Sequence, residues 1–388
     1  RGIGDLTIDA ILGITDIVES LHQTILIFGG VLSSGNRERT RGITGMVYRN
    51  IHTVTEWAGD GMTILLDRLS TRIGEKPSSP AREAGIAALN GVLGDHLAAR
   101  DNPLAIPMQF RIDGNPLDSR ALLDAIEQSN GKLAIMVHGL CMNDRQWQRG
   151  GHDHGAMLGR DLGMTPIYLY YNTGLHISEN GQHFSDLLEA LVELSPQPLE
   201  LFIIAHSMGG LISRSACHYA GIFGHKWLSH LRKLVFLGTP HHGALLEKGG
   251  NWINTLMGIS PYSAPFARLG KIRSAGITDM RYGNLTDQDW SDRDRFDSSG
   301  DQHTPVALPD GAACYAVAVT TRTAPSKWGD DVIGDGLVTL SSALGVHKHP
   351  DLSLSIPTSR LWIGRDMNHM DLLSHPDVYK TIRHWIKT

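Results

Sequence analysis

The sequence predicts an α/β protein with a mostly parallel sheet and helices on both of its faces. After Pro107, short β-rich runs alternate with stretches whose apolar residues recur at helical spacing. The β-rich runs are almost continuously apolar, which is typical of parallel strands buried on both faces. We expect strands at 108–112, 133–137, 166–171, 199–205, 233–237, 313–320 and 360–363, and helices near 151–162, 181–194, 209–222 and 372–387.

The first part of the chain lies outside this alternation. Residues 1–105 are predicted to form a helical accessory region, because apolar residues recur at helical spacing over 8–26, over 51–69 and in a short helix near 81–97. We expect this region to pack on a catalytic domain of residues 106–388. The alternative, a first helix that lies on a lipid surface, is disfavoured because its polar side lacks the lysine and arginine of such helices.

A second interruption spans residues 244 to about 310. The segment is rich in Gly, Ser, Asp and Trp, and it contains no strong strand. We interpret it as a cap or lid insertion over the carboxyl edge of the sheet, where α/β proteins bind their ligands. Its apolar residues Trp252, Ile253, Leu256 and Met257 are consistent with a lid over an acyl pocket and equally with ordinary packing.

Composition excludes several classes of protein. The net charge of −5 and the absence of a long basic run argue against nucleic acid as a partner. No apolar stretch is long enough to span a membrane, although peripheral lipid contact stays open. No cofactor or metal is expected, because the acidic residues at 287, 289, 292 and 294 are interpreted as a solvated face rather than a calcium site.

The compartment and the oligomeric state are less constrained by the sequence. The three cysteines, Cys141, Cys217 and Cys314, cannot all pair, and we expect reduced, buried thiols. The compartment stays open, with the cytoplasm favoured, and the sequence leaves the oligomeric state unknown. The chain begins with Arg1 rather than methionine, so a signal peptide could have been removed, and a periplasmic or secreted protein is the alternative.

The most informative motif is Ala205-His-Ser-Met-Gly209, which lies between an apolar strand and an apolar helix. A serine on a sharp turn between strand and helix needs small neighbours, and Ala205 and Gly209 meet this requirement. The helix N-terminus would favour negative charge beside Ser207. We predict Ser207 as a nucleophile; the alternative is a serine that merely caps the helix.

A second motif, His138-Gly-Leu-Cys141, follows the predicted strand 133–137. Gly139 would let the backbone approach a substrate carbonyl without a Cβ in the way. The predicted oxyanion donors are the N–H groups of Leu140 and Met208, the residue after the nucleophile.

The order of residues along the chain selects an acid and a base among 20 histidines and many carboxylates. His369 is the predicted base because it follows the last strand, and His375, beside a proline, is its rival. Asp335 is the predicted acid, because flanking glycines permit a tight turn. Its rivals are Asp330 and Asp331.

Other histidines are assigned to the substrate pocket. His241 and His242 come too early in the chain for the base, and a metal role for them is disfavoured. The predicted substrate-binding residues are His138, Gly139, His206 and His241.

These segments together resemble bacterial lipases and carboxylesterases of the α/β-hydrolase superfamily, and similar segments occur in enzymes that deacylate the inositol of lipid anchors. The resemblance covers about residues 130–388, and the helical stretch before Pro107 has no counterpart in minimal lipases. It implies the α/β-hydrolase fold and a serine hydrolase acting on ester bonds. The motifs that carry it are 137–140, 205–209, 238–241, 335–338 and 368–369.

The predicted function is that of a serine carboxylesterase for short or medium acyl esters or polyester-like substrates, acting through a Ser-His-Asp triad and an acyl-enzyme. The substrate would be a small-molecule, lipid or polymeric ester. A long-chain triacylglycerol lipase or an acyltransferase is an alternative with the same residues. A non-catalytic α/β-hydrolase used as a binding module is the alternative of another class.

Overall fold

The computed structural model describes residues 79–244, 274–291, 304–323 and 334–388. Eight strands form one sheet in the order β2-β1-β4-β3-β5-β6-β7-β8. Strands β3 to β8 pair in parallel, and β1 pairs antiparallel with both β2 and β4. The strands are Gln109–Ile112, Asn115–Pro116, Lys132–Val137, Thr165–Tyr170, Glu200–His206, Leu231–Leu237, Ala313–Thr320 and Leu361–Arg365.

Helices connect the parallel strands. Over the described residues they are α1 (Pro80–Ala98), α2 (Ser119–Gln128), α3 (His154–Leu162), α4 (Ile177–Leu194), α5 (Met208–Phe223), α6 (Trp227–His230), α7 (Ala275–Tyr282), α8 (Leu340–Ala343) and α9 (Pro376–Lys387). The predicted α/β class is thus confirmed, with each predicted strand present to within two residues. The hairpin strand β2 and the short helices α2, α6, α7 and α8 were not predicted.

The chain adds β4 on one side of β3 and the later strands on the other side, and this change of side places helices on both faces of the sheet. The connection from β3 through α3 leads to β4 on one side, whereas the connections through α4 and α5 lead toward β5 and β6 on the other. Because crossovers between parallel strands are right-handed, α3 lies on one face and α4 and α5 lie on the opposite one. Ligands of such sheets bind at the carboxyl ends of the strands beside this change of side, here β3 and β5.

The core is a continuous apolar layer between sheet and helices. The central strands are buried, as in the stretch Leu133–Val137 of β3. Helix α1 belongs to the same layer, because Ala88, Leu89, Val92 and Leu97 pack in the cluster that contains the central strands. The described end of the N-terminal region is therefore packed against the sheet.

The segment 274–291, within the predicted insertion, is held by buried polar contacts. Asp279 Oδ2 on α7 accepts hydrogen bonds from His176 Nδ1 at 2.8 Å and from the Ile177 N–H at 3.0 Å. The Trp290 ring stacks on His176 with centroids 3.7 Å apart. Helix α7 is thus attached to the N-terminus of α4.

Several expectations concern residues outside the described ranges. These are the helices before residue 79, the apolar group at 252–257 and the two rival acids at 330 and 331. Within the described ranges, no helix is both long enough and apolar enough to cross a membrane.

Candidate active site

Ser207 occupies a strained turn between β5 and α5. Its backbone has φ 54° and ψ −124°, a left-handed conformation that costs a non-glycine residue about 1–3 kcal/mol. The Ser207 N–H donates to the carbonyl of Leu237 at the end of β6, with an N···O distance of 2.9 Å. The strain is therefore held in place by the sheet, and it lifts the serine to the sheet's carboxyl edge.

Close contacts with neighbouring residues explain why the residues after this turn must be small. A Cβ on Gly209 would lie 2.6 Å from the carbonyl oxygens of Val137 and His138. A Cβ on Gly210 would overlap the side chain of Thr239. Helix α5 can therefore approach the ends of β3 and β6 only because both positions are glycine.

The loop after β3 lies directly against Ser207. A Cβ on Gly139 would be 3.1 Å from Ser207 Cβ and 3.1 Å from His206 Nδ1. Within the described chain, the N–H groups of Leu140 and Met208 donate no hydrogen bond. Both donors are thus available for an oxyanion, and Met208 adds the positive end of the α5 dipole.

Asp335 and His369 form a buried pair. The distance from Asp335 Oδ2 to His369 Nδ1 is 2.6 Å, and both side chains are buried. Asp335 Oδ1 accepts the backbone N–H groups of Leu337 at 2.9 Å and Val338 at 2.8 Å. The turn requires Gly334, which has φ 49°, and its geometry leaves one carboxylate oxygen for the imidazole.

The His369 ring lies beside Gly238 and His206, two residues near the Ser207 turn. Gly238, with φ 60°, follows the strand residue that accepts the Ser207 N–H, and a Cβ there would lie 3.1 Å from His369 Cε1. The His206 and His369 rings have centroids 4.7 Å apart. His369 Nε2 is buried and has no hydrogen-bond partner among the described residues. Such nitrogens often engage the nucleophile only once substrate is bound.

His375, the alternative to His369, lies at the start of a helix. His375 caps α9, where its Nδ1 accepts the N–H of Asp377 at 3.2 Å. The structure thus brings Ser207, Asp335 and His369 to one edge of the sheet and leaves His375 at the start of a helix.

The predicted pocket histidines are buried around the site. His138 stacks on Tyr171 with ring centroids 4.3 Å apart, and burial lowers the pKa of His138 to about 4. Burial and the neighbouring His369 hold the pKa of His206 well below its usual value. His241 packs edge-on against Phe236, and burial and Arg214 likewise lower its pKa. All three imidazoles are therefore neutral near pH 7.

Several contacts that hold the site were not predicted from the sequence. Gly238 leaves room for the His369 ring, and a glycine before Thr-Pro-His-His was the available signal. His206 Nε2 donates to the His369 carbonyl at 3.3 Å, and His154 Nε2 to the Leu372 carbonyl at 2.9 Å. These two imidazoles hold the turn that carries His369.

The acidic run in the insertion is only partly described. Asp289 is 1% exposed and accepts the N–H groups of Leu285, Thr286 and Thr304, so its assignment to a solvated face is wrong. Its carboxylate thus serves to hold three backbone N–H groups of the segment. Over the described residues, no group of three or more His, Cys, Asp or Glu is arranged to hold a metal ion.

The sheet order, the strained turn at Ser207 and the buried Asp-His pair are those of the α/β-hydrolase fold. The sequence model of the PGAP1-like alpha/beta domain family matches residues 128–302, which include the loop His138–Cys141 (the predicted oxyanion loop) and Ser207. No curated protein matches the chain.

Solved structures with likeness to the chain include lipases and esterases. The mature form of the Bacillus licheniformis lipase BlEst2 has 16% identity and a TM-score of 0.41, over 73% of this chain and 96% of the other. Aspergillus fumigatus lipase B has 11% identity and a TM-score of 0.40, over 70% and 54%. A thermophilic esterase has 12% identity and a TM-score of 0.35, over 73% and 98%. The strand order and the strained strand-to-helix turn at Ser207 (the elbow) define the fold without these distant likenesses.

Proposed function

We propose that the protein is a serine carboxylesterase in which Ser207, His369 and Asp335 form the catalytic triad. The observation that carries the proposal is a non-glycine residue with φ 54° at the start of α5, at the sheet edge that also holds the 2.6 Å Asp-His pair. Strain of this kind persists where function requires it. A serine that merely capped α5 would gain nothing from the left-handed conformation.

The reaction would proceed in two steps. His369 Nε2 takes the hydroxyl proton as Ser207 Oγ bonds to the ester carbonyl carbon, and the N–H groups of Leu140 and Met208 bind the resulting oxyanion. The C–O bond to the alcohol then breaks, and the alcohol leaves with the proton from His369. Water, deprotonated by the same imidazole, hydrolyses the acyl-enzyme and restores the serine.

Asp335 would orient the imidazole and stabilise its protonated form. Its Oδ2 accepts from Nδ1, so the lone pair of the neutral ring lies on Nε2, the nitrogen that is buried without a partner among the described residues. This is the tautomer that general-base catalysis requires.

The substrate class is proposed as short or medium acyl esters, with polyester-like substrates included. Its test is a chain-length series of p-nitrophenyl esters and triglycerides with product analysis. Highest activity on long-chain triglycerides would favour a lipase instead, and acyl transfer to an added alcohol in preference to water would favour an acyltransferase.

Catalysis itself is tested by Ser207→Ala and a fluorophosphonate probe. We expect the wild-type protein to be labelled once per chain at Ser207, and the variant to lose about 10⁶-fold in kcat. A folded wild-type protein that is not labelled and hydrolyses no ester would contradict the proposal and favour a binding module.

A further inference from the structure

The oxyanion loop contains a second strained residue, Cys141, directly after the proposed donor Leu140. Cys141 has φ 58° and is fully buried. Its backbone N–H donates to Thr173 Oγ1 at 3.2 Å, and its Sγ lies 3.8 Å from the carbonyl oxygen of Ala88 on α1. Because a cysteine does not adopt this conformation without support, the contacts around it fix the loop.

Helix α1 makes the closest of these contacts. A Cβ on Gly91 would lie 3.0 Å from Cys141 Cα and 3.1 Å from its Cβ, and it would overlap Sγ. The thiol therefore sits directly against the α1 backbone at Gly91. A second glycine on the same helix, Gly94, leaves room for Asn172, whose Nδ2 donates to the Gly94 carbonyl at 2.9 Å.

Buried hydrogen bonds hold α1 in position against this loop. Asn90 Nδ2 donates to the Leu104 carbonyl at 2.8 Å, and Asn90 Oδ1 accepts the Ile106 N–H at 3.0 Å. Ser274 Oγ, at the start of α7, donates to the Gly91 carbonyl at 2.6 Å. The stretch of α1 backbone that meets Cys141 is thus fixed by buried hydrogen bonds from Asn90 and Ser274.

We propose that α1 is a positioning element of the active site. Gly91 leaves room for the Cys141 side chain, and Cys141 in its left-handed conformation orients the Leu140 N–H toward the oxyanion. The proposal rests on the proposed function, because it concerns the same oxyanion hole. It assigns catalytic importance to a helix that lies outside the residues matched by the family model, 128–302. Gly91 and Cys141 are both buried, so they would act through the Leu140 N–H as positioning residues.

The test is Gly91→Ala, whose Cβ would push Cys141 and displace the Leu140 N–H. Complete loss of an oxyanion donor costs about 10²–10³ in rate, so a misplaced donor should lower kcat about 10- to 100-fold. KM should change less than about twofold, because the donor acts on the transition state. Gly221→Ala on α5 is the matched control, since a Cβ there meets nothing within 4 Å.

A second substitution makes the test specific. In the Gly91→Ala background, Cys141→Gly removes the overlapped Sγ, and the new methyl group takes its place against the loop. Glycine also accepts φ 58° without strain, so the double variant should restore kcat to within about threefold of wild type. A purely structural effect of Gly91→Ala would lower the melting temperature without a matching loss of kcat in the folded protein. If Gly91→Ala does not fold, Cys141→Ala alone should lower kcat several-fold by removing the Sγ contact.

Hydrogen exchange provides a readout that does not depend on activity. Gly91→Ala should speed amide exchange in the peptide 138–142 while leaving the central strand β5 unchanged. If the wild-type protein proves to have no ester hydrolysis, the proposed function fails and the exchange result still decides whether α1 positions the loop. Wild-type kcat together with unchanged exchange at 138–142 in folded Gly91→Ala would overturn the inference.

Discussion

Replacing Asp335 by asparagine is expected to disable the base while leaving the fold intact. The carboxylate oxygen Oδ1 accepts two backbone N–H groups, from Leu337 and Val338, at 2.9 and 2.8 Å. An asparagine oxygen would keep this place. If the amide turned round, its NH2 group would face both donors, and each unpaired buried group costs about 1–3 kcal/mol.

The amide nitrogen would then point at His369 Nδ1, 2.6 Å from the position of Oδ2. Two donors cannot face each other, so the imidazole proton would move from Nδ1 to Nε2. A protonated Nε2 cannot accept the proton of Ser207. In triads of this kind the wrong tautomer lowers kcat by about 10⁴, which corresponds to about 5.5 kcal/mol in the activation free energy.

The assay is kcat on p-nitrophenyl butyrate, with the melting temperature measured alongside. Asp371→Asn is a matched control, because its Oδ2 accepts only the backbone N–H of Asn368, which an amide oxygen can also do. We expect this variant to keep wild-type kcat to within about threefold. An Asp335→Asn protein that keeps more than about a tenth of wild-type kcat would refute the role given to Asp335.

Three further predictions concern stability and the histidine turn. The free energy of unfolding should fall by at least about 3 kcal/mol between pH 6.5 and 4, because burial lowers the pKa of His138 to about 4 and the unfolded chain binds the proton first, and the lowered pKa values of His206 and His241 add to this fall. Equal urea midpoints at pH 6.5 and 4 would contradict this. Gly238→Ala should lower kcat at least about tenfold, since its Cβ would lie 2.5 Å from the Leu372 side chain, whereas Gly221→Ala should not. Asp289→Ala should lower the free energy of unfolding by about 3 kcal/mol in urea titration, because it leaves three backbone N–H groups without an acceptor. An unchanged midpoint would show that water replaces the carboxylate.

Local signals in the sequence predicted much of the fold. Strand β5, the serine and α5 are adjacent in the chain, so their pattern of apolar and small residues specifies the elbow without long-range information. The hairpin strand Asn115–Pro116 is only two exposed residues long, and so it carries no periodicity to detect. Helix α2 carried two signals that were overlooked: Asp118 caps it, and Leu122, Ala125 and Ile126 recur at helical spacing over its ten residues.

The site residues could be predicted only where their order along the chain identifies them, because the sequence alone gives no distances between residues. Asp335 and His369 were selected by their positions after late strands, and the structure brings them to 2.6 Å. The contact between Gly91 and Cys141 had no such signal, since it joins residues far apart in the chain through the absence of a side chain. Close approaches of this kind follow from packing, which the sequence pattern of a single helix does not contain.

The strain at Ser207 has an evolutionary consequence. With φ 54° and ψ −124°, this position suits glycine better than any other residue, so serine lowers the stability of the folded chain. A lineage that kept the fold but lost the chemistry would be expected to drift toward glycine here and gain stability. In relatives with the same strand-to-helix turn, a glycine at this position would therefore indicate a protein that has lost its catalytic activity. A retained serine would indicate continuing selection for catalysis.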